Sequence, residues 1–196
     1  KKLKKLKINY LYIPTFKDIY GFKPKKKVFL DKFSKKLCGR FRTGHFEGVL
    51  NVVNRFLEII KPKLIFLGKK DYQQLYLIKK HIEKRKIKSK IIECETIREN
   101  NGVALSTRNS NLDESQMEIA SNIYYYLYNL KKKIKKNYNL FNLNKIKKDL
   151  KDLGVSKIDY LENYNTKNFK KIKRQSKKFN LFIAYYIKNV RLIDNI

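Results

Sequence analysis

LIFLGKKDYQQLYLIKKHIEKRKIKSKIIEC, residues Leu64–Cys94, is the stretch whose reading decides the fold. Leu64–Leu67 is a short apolar run closed by Gly68, a strand signal. Asp71–Arg85 predicts a helix. Leu75, Ile78 and Ile82 recur at three- and four-residue spacing, and Asp71 with Gln74 forms a capping-box pattern. Ser89–Cys94, centred on Ile91 and Ile92, predicts a second strand. Strand, helix and strand within about 30 residues make a βαβ unit, which requires parallel strands and a right-handed crossover. Open parallel sheets bind ligands beyond the carboxyl ends of their strands. Here those ends carry Gly68-Lys69-Lys70-Asp71 and Glu95-Thr96-Ile97-Arg98, which the topology places side by side.

Upstream, Lys1–Lys7 reads as the tail of a helix, Ile8–Ile13 as a buried strand ending at Pro14, and Pro14–Lys27 as a loop broken by Gly21 and Pro24. Val28–Leu30 reads as a short edge strand. Phe46–Ile60 predicts a helix stopped by Pro62, with Val49, Val53, Phe56, Leu57 and Ile60 on its apolar face. Beyond Thr96 the pattern changes. Gly102–Asn111 is a polar loop, and Asp113–Lys135 a long helix opened by an Asp113/Gln116 capping box. Leu143–Leu153 is a helix stopped by Gly154. Lys157–Tyr164, Phe179–Ile187 and Val190–Ile193 are strand-like, with a cationic loop or helix over Thr166–Lys178. The expectation is an α/β fold in two parts: residues 1–96 carry the parallel sheet, and residues 97–196 form a small α+β domain.

Lys and Arg number 48 against 17 acidic residues, a formal charge of +31. Two readings are open. A basic nucleic-acid-binding protein would show this balance. So would a chain shaped by an AT-rich genome, rich in Lys, Ile, Asn, Tyr and Phe and poor in Gly, Pro and Ala. The lysines run along the whole length rather than gathering on one element, which favours the second reading and no specific nucleic acid. No apolar run reaches the roughly 18–20 residues of a membrane span, and the Lys-rich amino terminus shows no secretory h-region. Cys38 and Cys94 have no metal-like spacing, so two buried thiols in a reduced cytoplasmic protein are expected.

Three segments carry chemistry. In Gly68–Gln74, Gly68 permits a tight turn, and the helix start with two lysines attracts phosphate. A solvated lysine pair on a surface loop remains the alternative. In Arg98–Asn109, the hydroxyls of Ser106 and Thr107 followed by Arg108 suit phosphate oxygens; a polar interdomain loop is the alternative. In Gly39–Gly48, His45 stands at a helix start among Gly and Arg. It could hydrogen-bond a carboxylate substrate or orient a loop, and a structural role is the alternative. His81, on a Lys-rich helix, reads as a surface residue.

Taken together, Arg42-Thr43-Gly44-His45-Phe46-Glu47-Gly48-Val49, Phe66–Leu75, Arg98–Asn109 and Val190-Arg191-Leu192-Ile193-Asp194-Asn195 resemble, in order and spacing, the pantoate–β-alanine ligase (pantothenate synthetase) family. The resemblance covers essentially the whole chain. It implies a Rossmann-like nucleotidyltransferase-type domain followed by a smaller lid-like domain, as a cytoplasmic homodimer. It also implies a ligase of the pathway to the coenzyme A precursor, with ATP as a substrate and Mg2+ accompanying it. Pantoate would attack ATP to give pantoyl adenylate and pyrophosphate, and β-alanine would then displace AMP. By motif position, Gly68, Lys69, Lys70, Asp71, Ile97, Leu105, Ser106, Thr107 and Arg108 would bind ATP, and Gln74 pantoate. Lys70 and His45 are the catalytic candidates.

The chain departs from the family pattern at Lys69 (usually Glu), Thr107 (usually Ser), Asn101 (usually Asp) and Cys38 (commonly Glu). The resemblance also places the family's first strand, its His-x-Gly-His nucleotide motif and a second substrate-binding Gln upstream of Lys1. The expectation is therefore a fragment that is inactive alone, with a degenerate remnant of the ligase as the neighbouring possibility.

Overall fold

The computed structural model describes residues 2–196. In chain order its elements are α1 (Lys2–Lys5), α2 (Phe16–Tyr20), α3 (Cys38–Phe41), α4 (His45–Ile60), β1 (Leu64–Gly68), α5 (Tyr72–Lys84) and β2 (Lys90–Cys94). There follow α6 (Glu114–Lys136), α7 (Leu143–Asp152), β3 (Lys157–Asn165), β4 (Phe179–Ile187) and β5 (Val190–Asn195). β1 and β2 pair in parallel, Leu64 opposite Lys90 through Gly68 opposite Cys94, as the βαβ reading requires. β3, β4 and β5 form an antiparallel sheet with β4 in the middle. The fold class is mixed α/β, as expected.

β4 explains how the two sheets share one body. Phe179, Leu181, Ile183, Tyr185 and Ile187 enter a core with Ala120, Ile123 and Leu127 of α6 and with Ile146 and Leu150 of α7. The alternate residues Phe182 and Ala184 enter a second core with Phe33, Leu37, Phe46, Leu50, Leu57, Leu77 and Ile78. Side chains alternate across a strand, so a strand buried on both faces reads as a continuous apolar run. β1 and β2 are covered on one side only: Leu64, Phe66 and Ile92 stay exposed.

Several expectations fail. Ile8–Ile13 is not a strand: it runs unpaired, with Ile8, Leu11 and Ile13 exposed. Apolar composition cannot supply a pairing partner. Val28–Leu30 is likewise irregular, and Pro14–Lys27 contains α2, started by a Thr15/Asp18 capping box. α4 is rotated from its predicted face: Phe46, Leu50, Asn54 and Leu57 are buried, while Ile60 is exposed. Asp71 does not cap α5, because its side chain accepts no backbone hydrogen bond, and a 3-10 turn over Lys69–Asp71 leads into the helix. Thr166–Lys178 is loop. Cys38 is a buried free thiol; Cys94 is free but only half-buried.

His81 is the sharpest correction. It is fully buried, not a surface residue. Its Nδ1 accepts from the Phe29 N–H at 3.0 Å, which leaves the proton on Nε2 to bond Asn54 Oδ1 at 2.9 Å. Asn54 in turn donates to Lys26 O at 2.8 Å. Burial, then the neighbouring Arg85 cation, push the His81 imidazole down to about 4. A depressed folded value gives stability that is complete above the unfolded value and lost as pH falls towards the folded one. Protonation of His81 should therefore remove up to about 3 kcal/mol between pH ~6.5 and ~4. Denaturant midpoints across that window should fall for the native chain, and the pH dependence should flatten in His81→Gln; an unchanged slope in the variant would refute the assignment.

The last strand joins the two sheets at their polar ends. Asn195 Nδ2 donates to the carbonyls of both Lys69 (2.8 Å) and Lys70 (2.9 Å), while its Oδ1 accepts from Asn180 Nδ2 at 2.9 Å. Asn195→Ala should cost about 1–2 kcal/mol by leaving these carbonyls unpaired. Asn195→Asp, which turns an oxygen towards two oxygens, should cost more. The order of the two unfolding midpoints checks the contact, and the reverse order would contradict it.

Candidate active site

The carboxyl ends of β1 and β2 lie side by side, as the topology predicts. The ammonium of Lys69 is paired there with the Glu95 carboxylate. Lys69 is thus tied across the two strand ends. Lys70, by contrast, is half-buried and makes no side-chain hydrogen bond to the described residues, although it lines two adjoining clefts. Gly68 sits in ordinary extended conformation (φ −72°, ψ 134°), so the 3-10 turn that follows the strand at Lys69–Asp71 does not require glycine's backbone freedom there. What it supplies is open space, since a Cβ there would meet nothing within 4 Å. Such bareness lets a ligand approach the backbone closely.

The segment from Arg98 to Asn109 folds over this end. Arg98 grips Asp194 bidentately at 2.7 and 3.0 Å and donates to Gly102 O at 3.0 Å, so it is a structural cation rather than a ligand donor. Its guanidinium lies 4.4 Å above the Tyr124 ring. Gly102 must be glycine, because its φ is +84° and a Cβ would stand 2.2 Å from that ring. Ser106 caps a 3-10 turn over Thr107–Asn111 by accepting from Arg108 N at 3.2 Å. Lys70, Ser106, Arg108, Asn109 and Asp194 then line the first cleft together. Asn109 Nδ2 donates to Ala104 O at 3.2 Å, yet its buried Oδ1 has no partner among the described residues.

The second cleft gathers Arg42, His45, Lys70, Asp71 and Gln74. Gly44, in left-handed conformation at φ 76°, turns the chain into α4 and places His45 as its first residue. Burial chiefly, then Arg42, hold the His45 imidazole below its usual value, partly offset by Asp71, with Arg108 and Arg191 adding to the depression. The neutral ring can accept a proton or hydrogen-bond a carboxylate. The adjacent glutamines divide their roles. Gln73 is buried and fully engaged, donating to Phe33 O and Lys36 O at 2.9 and 2.8 Å and accepting from Cys38 N at 3.1 Å. Gln74 forms no such bonds and faces the cleft.

Of the residues expected at the site, Lys70, Asp71, Gln74, His45, Ser106 and Arg108 line these two clefts. Gly68, Lys69, Ile97, Leu105 and Thr107 do not; Gly68, Ile97, Leu105 and Thr107 are exposed beside them. The clefts hold only about 20 and 40 Å³, so a nucleotide would lie across the exposed rim rather than inside. Asn109 and Asp194 were in the strings that carry the resemblance but had no role; only burial and the missing partner at Asn109 reveal them. Among the described residues, no group of three or more His, Cys, Asp and Glu side chains could hold a metal, and no helix is long and apolar enough to cross a membrane.

Comparison with known proteins fits this geometry. The family model for pantoate-beta-alanine ligase matches residues 1–196. A pantothenate synthetase of Ruthia magnifica is 37 % identical over 193 residues, covering 98 % of this chain and 69 % of the relative. That of Flavobacterium psychrophilum is 34 % identical, covering 95 % and 67 %. The solved pantoate-beta-alanine ligase of Francisella tularensis, complexed with beta-gamma ATP and beta-alanine, superposes with a TM-score of 0.75 at 35 % identity, over 100 % of this chain and 67 % of that one. The Thermus thermophilus pantothenate synthetase, 23 % identical with a TM-score of 0.86 over 71 % of its chain, shares the fold. The chain thus spans about two thirds of the length of these relatives, and it belongs to the pantoate–β-alanine ligase family.

Proposed function

We propose that the chain takes part in the ATP-dependent joining of pantoate to β-alanine, through the clefts at the carboxyl ends of β1 and β2. The observation that carries this reading is Lys70. Among the described residues its ammonium has no hydrogen-bond or ion-pair partner, and it stands between the Gln74/His45 cleft and the Ser106/Arg108 cleft. In the first step a pantoate carboxylate oxygen bonds to the α-phosphorus of ATP, and the bond from that phosphorus to the leaving diphosphate breaks. In the second, the β-alanine amine bonds to the acyl carbon of pantoyl adenylate, the bond to AMP breaks, and the amine releases a proton.

In this reading Lys70 balances the charge that gathers on phosphate oxygens in the first step. Gln74 hydrogen-bonds pantoate, and neutral His45 holds a substrate carboxylate or takes a proton. Gly68, Lys69, Asp71, Ile97, Leu105, Ser106, Thr107 and Arg108 surround the nucleotide, the last five from the lid-like half beginning at residue 97. Such a site works by positioning and electrostatics, so no side-chain nucleophile is needed. Magnesium would accompany the nucleotide's phosphates, as the resemblance implies; no step is assigned to it. A cytoplasmic homodimer completes the reading and rests on the resemblance.

Pantothenate formation from ATP, pantoate and β-alanine tests it. The assay should compare residues 1–196 alone with the same residues joined to the part of a relative that this chain does not span. Lys70→Ala should lower kcat by about a hundredfold or more in whichever form turns over. Gln74→Ala should raise KM for pantoate while leaving that for ATP unchanged. No turnover in either folded form, or full activity in Lys70→Ala, would refute the proposal.

A further inference from the structure

Asn109 is a buried polar group that the roles assigned above leave unexplained. It is only 8 % exposed and lines the first cleft with Lys70 and Asp194. Its amide is fixed in orientation, because Nδ2 donates to Ala104 O at 3.2 Å and to Glu99 Oε1 at 3.4 Å. Exchanging the nitrogen and the oxygen of that amide would turn an oxygen towards two oxygens. Oδ1 is therefore a true acceptor, buried and without a donor among the described residues. Leaving a buried acceptor unpaired is costly, so such an atom marks a partner.

The opposite deficit stands in the same cleft. An ammonium is donor only, and that of Lys70 spends no hydrogen on the described residues although it lines the cleft with Asn109. The cleft holds about 20 Å³, room for about one water molecule. A water there can accept from Lys70 Nζ and donate to Asn109 Oδ1. Its other hydrogen can turn to Asp194 Oδ2, which takes Arg98 Nη1 at 2.7 Å and keeps a lone pair. Bridges of this kind are nearly as good as direct hydrogen bonds. We propose that Asn109 is a positioning residue for Lys70, its Oδ1 holding the Lys70 ammonium through one water in the first cleft. Lysine is a point charge on a flexible stem. Holding that charge in place before the phosphates arrive leaves less reorganisation for the reaction itself. The consequence for catalysis rests on the ligase reading; the link between Asn109 and Lys70 does not.

The test acetylates the amines of the full chain at one fixed pH with an N-hydroxysuccinimide ester and follows each lysine by peptide mass spectrometry. Only the neutral amine reacts, so a hydrogen bond that favours the ammonium slows labelling. The variants are Asn109→Leu and Asn109→Asp, and the exposed Lys177 is the internal reference. Both variants lose the two donations from Nδ2; only the Asp variant keeps an acceptor for the water, and it adds a negative charge. Relative to Lys177, labelling of Lys70 should rise about tenfold in Asn109→Leu, the scale of one charge-assisted hydrogen bond. In Asn109→Asp it should fall below the native rate. A purely structural Asn109 would move both variants in one direction, and that result, or no change in either, would overturn the proposal. Should the Leu variant fail to fold, the Asp variant decides alone, and a rate at or above the native one contradicts the link. In whichever form turns over, Asn109→Leu should lower kcat about tenfold and leave KM for pantoate unchanged; an unchanged kcat would overturn the positioning role. Opposed labelling shifts in a protein that forms no pantothenate would sink the ligase reading and leave the Asn109–Lys70 link standing.

Discussion

Two consecutive residues at the end of β5 hold the candidate site together. Asp194 receives both arms of Arg98, and Asn195 donates to the carbonyls of Lys69 and Lys70. One strand of the antiparallel sheet thereby fixes the loop after β1 and the segment after β2. Without it these two polar stretches would be joined mainly by the Lys69–Glu95 pair, and that carboxylate is 82 % exposed. Exposed pairs contribute little, whereas the Arg98–Asp194 pair is bidentate and its side chains are only 20 % and 11 % exposed. Lys70, whose ammonium has no hydrogen-bond partner among the described residues, is placed by a backbone that its neighbours hold.

The same sheet explains why the two halves do not behave as beads on a string. β4 sends alternate side chains into two cores, one with α6 and α7 and one with α4 and α5. A change at Phe182 or Ala184 acts on packing beneath the clefts, and a change at Leu181 or Ile183 acts on packing against α6 and α7. Close packing transmits such changes over short distances. The clefts therefore lie where two cores share a wall.

Much of this was legible in the sequence, for local reasons. The βαβ unit, the Asp113/Gln116 capping box and the three carboxy-terminal strands follow from periodicity and turn residues, which are properties of short windows. The failures are non-local. Ile8–Ile13 is apolar enough for a strand, but pairing depends on what lies beside it. His81 sits among lysines on α5 and looks solvated; its burial follows from Asn54 of α4 and the Phe29 backbone, which close on it from elsewhere. The face of α4 was misread because its buried stripe contains Asn54, a polar residue that breaks the hydrophobic pattern while satisfying His81. Motif positions single out Lys70, Gln74, Ser106 and Arg108, and these four line the two clefts. The sequence could not separate Gln73, spent on the backbone, from Gln74, or Arg98, spent on Asp194, from Arg108.

Asn195 holds the Lys70 carbonyl, so the role proposed for Lys70 makes Asn195 a positioning residue for the nucleotide. Calorimetric titration of ATP into Asn195→Ala, Lys70→Ala and the double variant measures that coupling directly. The account predicts that Asn195→Ala weakens ATP on its own but adds nothing once Lys70 is gone. Fully additive losses in the double variant would show that Asn195 and Lys70 act independently, and would contradict it.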